Sequence, residues 1–139
     1  MWMIRSIRTR VILAGSFAVL ALALVAAAQT ERKPVSKLIE LDPAATTYMR
    51  VLGGPPETET MRSGYVVLEP SKSVGKHNTE AYEEVVIVLS GVGEMRSADG
   101  PALKLKPYVV AYCPPDTEHD VVNTGSEPLR YVYVVAKTR

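Results

Sequence analysis

The segment His77-Asn78-Thr79-Glu80-Ala81-Tyr82-Glu83-Glu84-Val85-Val86-Ile87-Val88-Leu89-Ser90-Gly91 begins with one of the chain's two histidines, passes through charged residues into five apolar ones and stops at a glycine. Val85–Leu89 is β-branched at four of its five positions and is too short for an ordinary helix, so it reads as a strand. No polar residue interrupts it. Both faces must therefore be covered, as in a central strand covered twice, or one that lines a cavity and packs on a second sheet or a second subunit.

Outward from this strand the same pattern recurs. Short apolar runs fall at Lys37–Leu41, Tyr48–Leu52, Ser63–Glu69, Gly93–Ser97, Ala102–Leu105, Tyr108–Cys113, His119–Asn123 and Leu129–Ala136. Between them stand Gly53-Gly54-Pro55-Pro56, Gly91-Val92-Gly93, Asp99-Gly100-Pro101, Lys106-Pro107, Pro114-Pro115 and Thr124-Gly125, which are residues of tight antiparallel connections. Nothing reads as a long helix. The chain is expected to be all-β, a sandwich or barrel of many short strands. Lys104 and Lys106 alternate with Leu103 and Leu105, which gives that strand one wet face.

Length and charge limit what such a protein can do. The 139 residues carry 16 basic and 15 acidic groups, but three of the bases (Arg5, Arg8, Arg10) and none of the acids lie in the first 28, so the 111 that follow hold 13 bases against 15 acids. A mildly acidic remainder without a basic block argues against nucleic-acid binding, which depends on neutralising phosphates. That length suits one modest core and one domain. Cys113 is the only cysteine, which excludes an intramolecular disulfide and any cysteine-rich zinc or iron–sulfur site.

The amino terminus is a separate matter. Val11 to Ala28 holds 18 residues without a charge, behind a basic segment and ahead of Glu31-Arg32-Lys33. This is the pattern of an export signal, with Ala26-Ala27-Ala28 offering the small side chains a signal peptidase accepts and Gln29 as the expected first mature residue. The alternative is a retained membrane anchor, since a spanning helix needs roughly 17–25 residues. The expected division is a signal peptide over 1–28, a polar linker over 29–36 and a barrel domain over 37–139. Either outcome places the folded part outside the cytoplasm, periplasmic or secreted, where an unpartnered Cys113 is expected to be buried.

The second histidine sits in Pro114-Pro115-Asp116-Thr117-Glu118-His119-Asp120-Val121-Val122-Asn123. The two segments together resemble the paired motifs of the cupin family, G-x5-H-x-H-x3,4-E-x6-G and G-x5-P-x-G-x2-H-x3-N. His77, Glu84, Gly91, Pro114, His119 and Asn123 fall in register. Ser71 stands where the first glycine is expected, Lys106-Pro107 where a Gly-Asp turn often stands, and Asp116 replaces the glycine of P-x-G. The fold can absorb these turn changes, and Asp in particular tolerates the left-handed backbone region. Thr79 is the larger departure, because it occupies the second histidine position and a neutral hydroxyl is a poor metal ligand.

The resemblance implies a jelly-roll β-barrel, an all-β single domain, with a metal held inside by imidazoles and a carboxylate. His77, Glu84 and His119 are then the expected ligands, and three strands can bring them together only if the sheet closes on itself. Two imidazoles and a carboxylate suit a divalent transition metal: iron, manganese, zinc, nickel or copper. Thr79 would hydrogen-bond a metal-bound water or fix a neighbouring ligand. Tyr82 and Tyr112, near the motifs, are the expected pocket residues, and Asn123 is expected to tie down a turn beside the site. Glu80 and Glu83 read as surface charges that could supply a further ligand.

Three functional classes stay open on the sequence: a metal-dependent enzyme such as an oxygenase or isomerase acting on a small molecule, a metal-independent module binding a sugar-like ligand, and a metal storage or delivery protein. The fold hosts all three. Pairing of family members through an exposed sheet or an exchanged N-terminal strand implies a homodimer, which would cover the second face of Val85–Leu89. The membrane is a partner only if the leader is retained.

Overall fold

The computed structural model describes residues 33–138. Its nine strands are β1 (Met49–Gly53), β2 (Met61–Leu68), β3 (His77–Asn78), β4 (Tyr82–Ser90), β5 (Gly93–Ser97), β6 (Leu103–Leu105), β7 (Val110–Cys113), β8 (Glu118–Asn123) and β9 (Leu129–Lys137). They form a five-stranded sheet ordered β1-β2-β9-β4-β7 and a four-stranded sheet ordered β3-β8-β5-β6, with every paired neighbour antiparallel. The all-β jelly-roll expected from the sequence is the observed fold.

The core lies between the inner faces of the two sheets. β2 and β9 contribute Val66, Leu68, Leu129 and Tyr131, β4 contributes Val86 and Val88, and Met95, Leu105 and Val121 meet them from the other sheet. Alternation along β4 puts Glu84, Val86 and Val88 inside and leaves Val85, Ile87 and Leu89 on the outer face, where Ile87 and Leu89 are exposed. The doubly apolar strand is therefore central, between β9 and β7, with one face in the core and one on the surface. Within β9, Arg130 donates to the carbonyl of Ala45 and the hydroxyl of Tyr65, which fastens the segment before β1 over the outer side of β2.

One expectation needs correction. Lys37–Leu41 is not a strand: among the described residues no partner pairs with it, and Leu38 is 83% exposed. The linker reading of 29–36 meets only residues 33–36, which are exposed and without regular structure, while the leader lies outside the described residues. The substituted turns behave as the sequence implies. Ser71 (φ 66°) and Asp116 (φ 55°) adopt the left-handed region where glycine would be at ease, and at the third turn it is Tyr108 (φ 66°), just after Lys106-Pro107, that does so.

Candidate metal centre

Glu84 is the third residue of β4, and its inward direction follows from the alternation that buries Val86 and Val88. Across the sheet it pairs with Cys113 of β7 and Val135 of β9. The opposing sheet supplies both histidines. β3 and β8 pair with His77 directly opposite His119, so the two rings share a face and lie 4.3 Å apart between centroids. Glu84 Oε2 stands 3.2 Å from His119 Nε2 and 4.0 Å from His77 Nε2. One ligand atom from each of the three residues lies within 4.8 Å of the others.

The outer ring nitrogens fix what faces inward. His77 Nδ1 is 2.9 Å from the carbonyl of Gly75, and His119 Nδ1 is 3.4 Å from the carbonyl of Thr117 and 3.5 Å from Cys113 Sγ. A carbonyl only accepts, so both Nδ1 atoms carry the proton and both Nε2 atoms present lone pairs. His119 is 1% exposed, and its Nε2 makes no hydrogen bond: the nearby Glu84 oxygen is within range but out of line. Three acceptors thus converge with no donor among them. Glu84 and His119 are buried and His77 is exposed, and a cation between them would satisfy all three acceptors. The Glu84 carboxylate also raises the proton affinity of His119 above the usual imidazole range, against the opposing effect of burial, so a proton and a cation would compete for this Nε2. Burial, and then Glu84, push the Cys113 thiol up, so it stays protonated and inert beside the cluster instead of joining it.

Thr79 is buried and lies outside the cluster. Its hydroxyl donates to the Pro114 carbonyl at 2.8 Å and accepts from the Thr117 N–H at 2.9 Å. The same Thr117 offers its carbonyl to His119 Nδ1. Thr79 therefore holds the loop that orients His119, which is the second of the two roles expected of it.

A cavity of about 690 Å³ opens over the cluster, bordered by His77, Thr79, Glu84, Tyr82, Tyr131 and Tyr133, with Tyr48 and Arg62. Tyr82 lies where the sequence places it. Tyr112 does not: Glu84 pairs with Cys113, so its neighbour Tyr112 points to the outer face, 53% exposed and bonded to Glu83. Partial desolvation by its neighbours and the Glu83 carboxylate raise its phenol. Asn123 ties down a turn through its amide, as the sequence implies, but away from the pocket. It is fully buried, and its amide donates to the carbonyls of Leu68 and Glu127 while its oxygen accepts from Gly125, so it closes a turn away from the cavity.

Sequence reasoning missed Arg62, Tyr48, Tyr131 and Tyr133 as cavity residues. Gly64 was the available signal. A glycine inside a strand marks a close approach, and a Cβ there would lie 2.4 Å from the Tyr48 ring and 2.6 Å from that of Tyr133. The two tyrosines lie over it, stacked with centroids 6.4 Å apart and hydroxyls 3.2 Å apart. Burial, and then Tyr48, keep the Tyr133 phenol protonated far above its usual range.

The family model described as the cupin domain matches residues 64–135, more than half of the chain and all three clustered residues. The chain is a cupin. No curated protein matches it. Among solved structures, this cupin is similar to a Cupin 2 conserved barrel domain protein from Salinispora arenicola CNS-205, with 24% identity over 75% of this chain and 91% of that one and a TM-score of 0.61. An RmlC-like cupin with a double-stranded β-helix fold from Methanocaldococcus jannaschii gives 20% identity, 76% and 94% coverage and a TM-score of 0.61. A protein from Thermotoga maritima described as a predicted oxalate decarboxylase gives 19%, 71% and 99%, and 0.53. At these identities the likeness is one of fold.

Proposed function

We propose that this cupin binds one divalent transition metal through His77, Glu84 and His119 and acts there, as an enzyme of the oxygenase or isomerase kind, on a small molecule held in the cavity. The observation that carries the reading is the convergence of two imidazole lone pairs and a carboxylate around the buried, unpartnered His119 Nε2. The residues present fit such an ion, because each histidine directs its other nitrogen to a backbone carbonyl, as metal-bound histidines do. When bound, a divalent ion of this set supplies Lewis acidity or a redox couple at the cavity floor. The chain's own contribution is to fix His119 through Thr117 and Thr79, and to surround the floor with apolar and tyrosine side chains that limit water.

Elemental analysis of the full chain purified without chelator tests this. About one ion per chain is expected in the wild type, with none in His119→Ala or Glu84→Gln. A metal-free wild type would favour the binding-module reading.

We also infer export and pairing. Export rests on the charge-free stretch 11–28 and its alanine end. Intact mass of protein expressed with its own leader checks it: a chain starting at Gln29 is expected, and a full-length 15.1 kDa chain found only in membranes would overturn it. Pairing rests on the outer face of the larger sheet, where Ile87, Leu89, Val110 and Tyr112 are exposed beside Val85, Val132 and Val134. Gel filtration is expected to show a dimer that Ile87→Glu converts to monomer.

A further inference from the structure

Register across the larger sheet places one cation in line with the cluster. Arg62 of β2 pairs with Val135 of β9, and Val135 pairs with Glu84 of β4, so the three share a row on the inner face. Two strand spacings separate Arg62 from Glu84, roughly 10 Å between backbones at about 4.8 Å per strand. The Arg62 guanidinium lies 5.4 Å from the centroid of the Tyr82 ring and borders the cavity. Among the described residues it makes no hydrogen bond, and no carboxylate comes within 4.0 Å of it. Glu80 and Glu84 also border the cavity, yet neither is paired with it.

The row above adds the flat surface. Gly64 pairs with Tyr133, and the space of its missing side chain is filled by the Tyr48 and Tyr133 rings. Tyr131 continues the same inner face one step further along β9. The cavity therefore presents, at its rim, one solvent-exposed planar fork of donors beside tyrosine rings, with the three-residue cluster at the other end. An unpaired guanidinium matches a carboxylate in two parallel hydrogen bonds, and ring faces match a planar carbon body.

We infer that the ligand of this cavity is a small carboxylic acid with a planar, unsaturated body, its carboxylate on Arg62, its body against the tyrosines and its far end at His77, Glu84 and His119. This names the substrate class for the proposed reading and rests on it only for what the far end meets. Arg62 is thus a specificity-determining residue remote from the floor of the site.

The test uses 4-hydroxybenzoate and 4-hydroxybenzamide as probes, which share shape and differ in charge, titrated by calorimetry into the purified full chain. The metal content of each sample is measured in parallel. The acid is expected to bind at least tenfold more tightly than the amide in the wild type, to lose that preference in Arg62→Gln, and to keep part of it in Arg62→Lys, which retains charge without the fork. The metal content of Arg62→Gln should equal that of wild type. Equal binding of acid and amide by the wild type, binding of neither, or a preference that survives Arg62→Gln but disappears in Glu84→Gln would overturn the inference. A metal-free wild type that still prefers the acid through Arg62 would sink the metal reading and leave this one standing.

Discussion

The inner face of the larger sheet has two ends built on opposite terms. At one end Val88 and Leu129 pack to near-zero exposure, and Asn123 bonds the backbone of Leu68, Gly125 and Glu127. At the other end, on the same strands, Glu84 and Arg62 sit beside an open cavity, and across from Glu84 the buried His119 Nε2 makes no hydrogen bond. The closed end shows what a barrel needs in order to fold. The open end departs from it in the residues able to do chemistry, and unsatisfied buried polar groups cost stability unless a ligand completes them.

The largest effect should come from the closed end. Leu129 is 0% exposed at the centre of the core, so Leu129→Ala is expected to lower unfolding free energy by about 2–5 kcal/mol in urea titrations, with metal content per folded chain unchanged. A loss of metal in this variant would show that the two ends are not separable.

Chelation probes the open end. An ion that binds only the folded chain stabilises it by about 2.7 kcal/mol at a free concentration 100 times Kd. Removing it should lower the Tm of wild type and leave that of Glu84→Gln unmoved. Equal shifts in both would place the ion elsewhere.

Thr79→Val is expected to cost about 1–3 kcal/mol, because the buried Thr117 N–H loses its acceptor. Since the same loop orients His119, metal affinity should also fall, by roughly 10–100-fold. Unchanged affinity alongside lost stability would reduce Thr79 to a purely structural tie.

Glu94 serves as a control away from both ends, on the wet strand pair β5–β6. Lys104 and Arg96 hold its carboxyl below the usual range. A lowered folded-state value contributes stability above the unfolded value of 4.5 and loses it as pH falls through the folded one. Wild type should therefore exceed Glu94→Gln in Tm slightly at pH 6, and the two should converge below pH 4. A gap that widens in acid would contradict the sign.

The contrast also explains what could be read from the sequence. The fold was legible because alternation and turn residues act locally, and the cluster was legible because His77, Glu84 and His119 sit at motif spacings. Side was not legible for Tyr112. Whether it faces in or out depends on pairing with β4, and a shift of one residue reverses every side chain on a strand. Lys37–Leu41 has strand composition but no partner, and partners are settled by tertiary structure. The Arg62 row was invisible for the same reason, since it exists only through the register of three strands that are distant in the chain.

The two-residue length of β3 has its own consequence. Glu84 and His119 are mounted on strands of nine and six residues and are buried, whereas His77 is carried by a two-residue strand with its side chain 47% exposed. The centre is therefore a fixed jaw and a latch. Under the proposed metal reading, His77 is expected to be the last arm to engage and the first to let go, so its short mooring would set the dwell time of the ion. Changes at Gly75, whose carbonyl steadies that ring, should alter the rate of exchange more than the strength of capture.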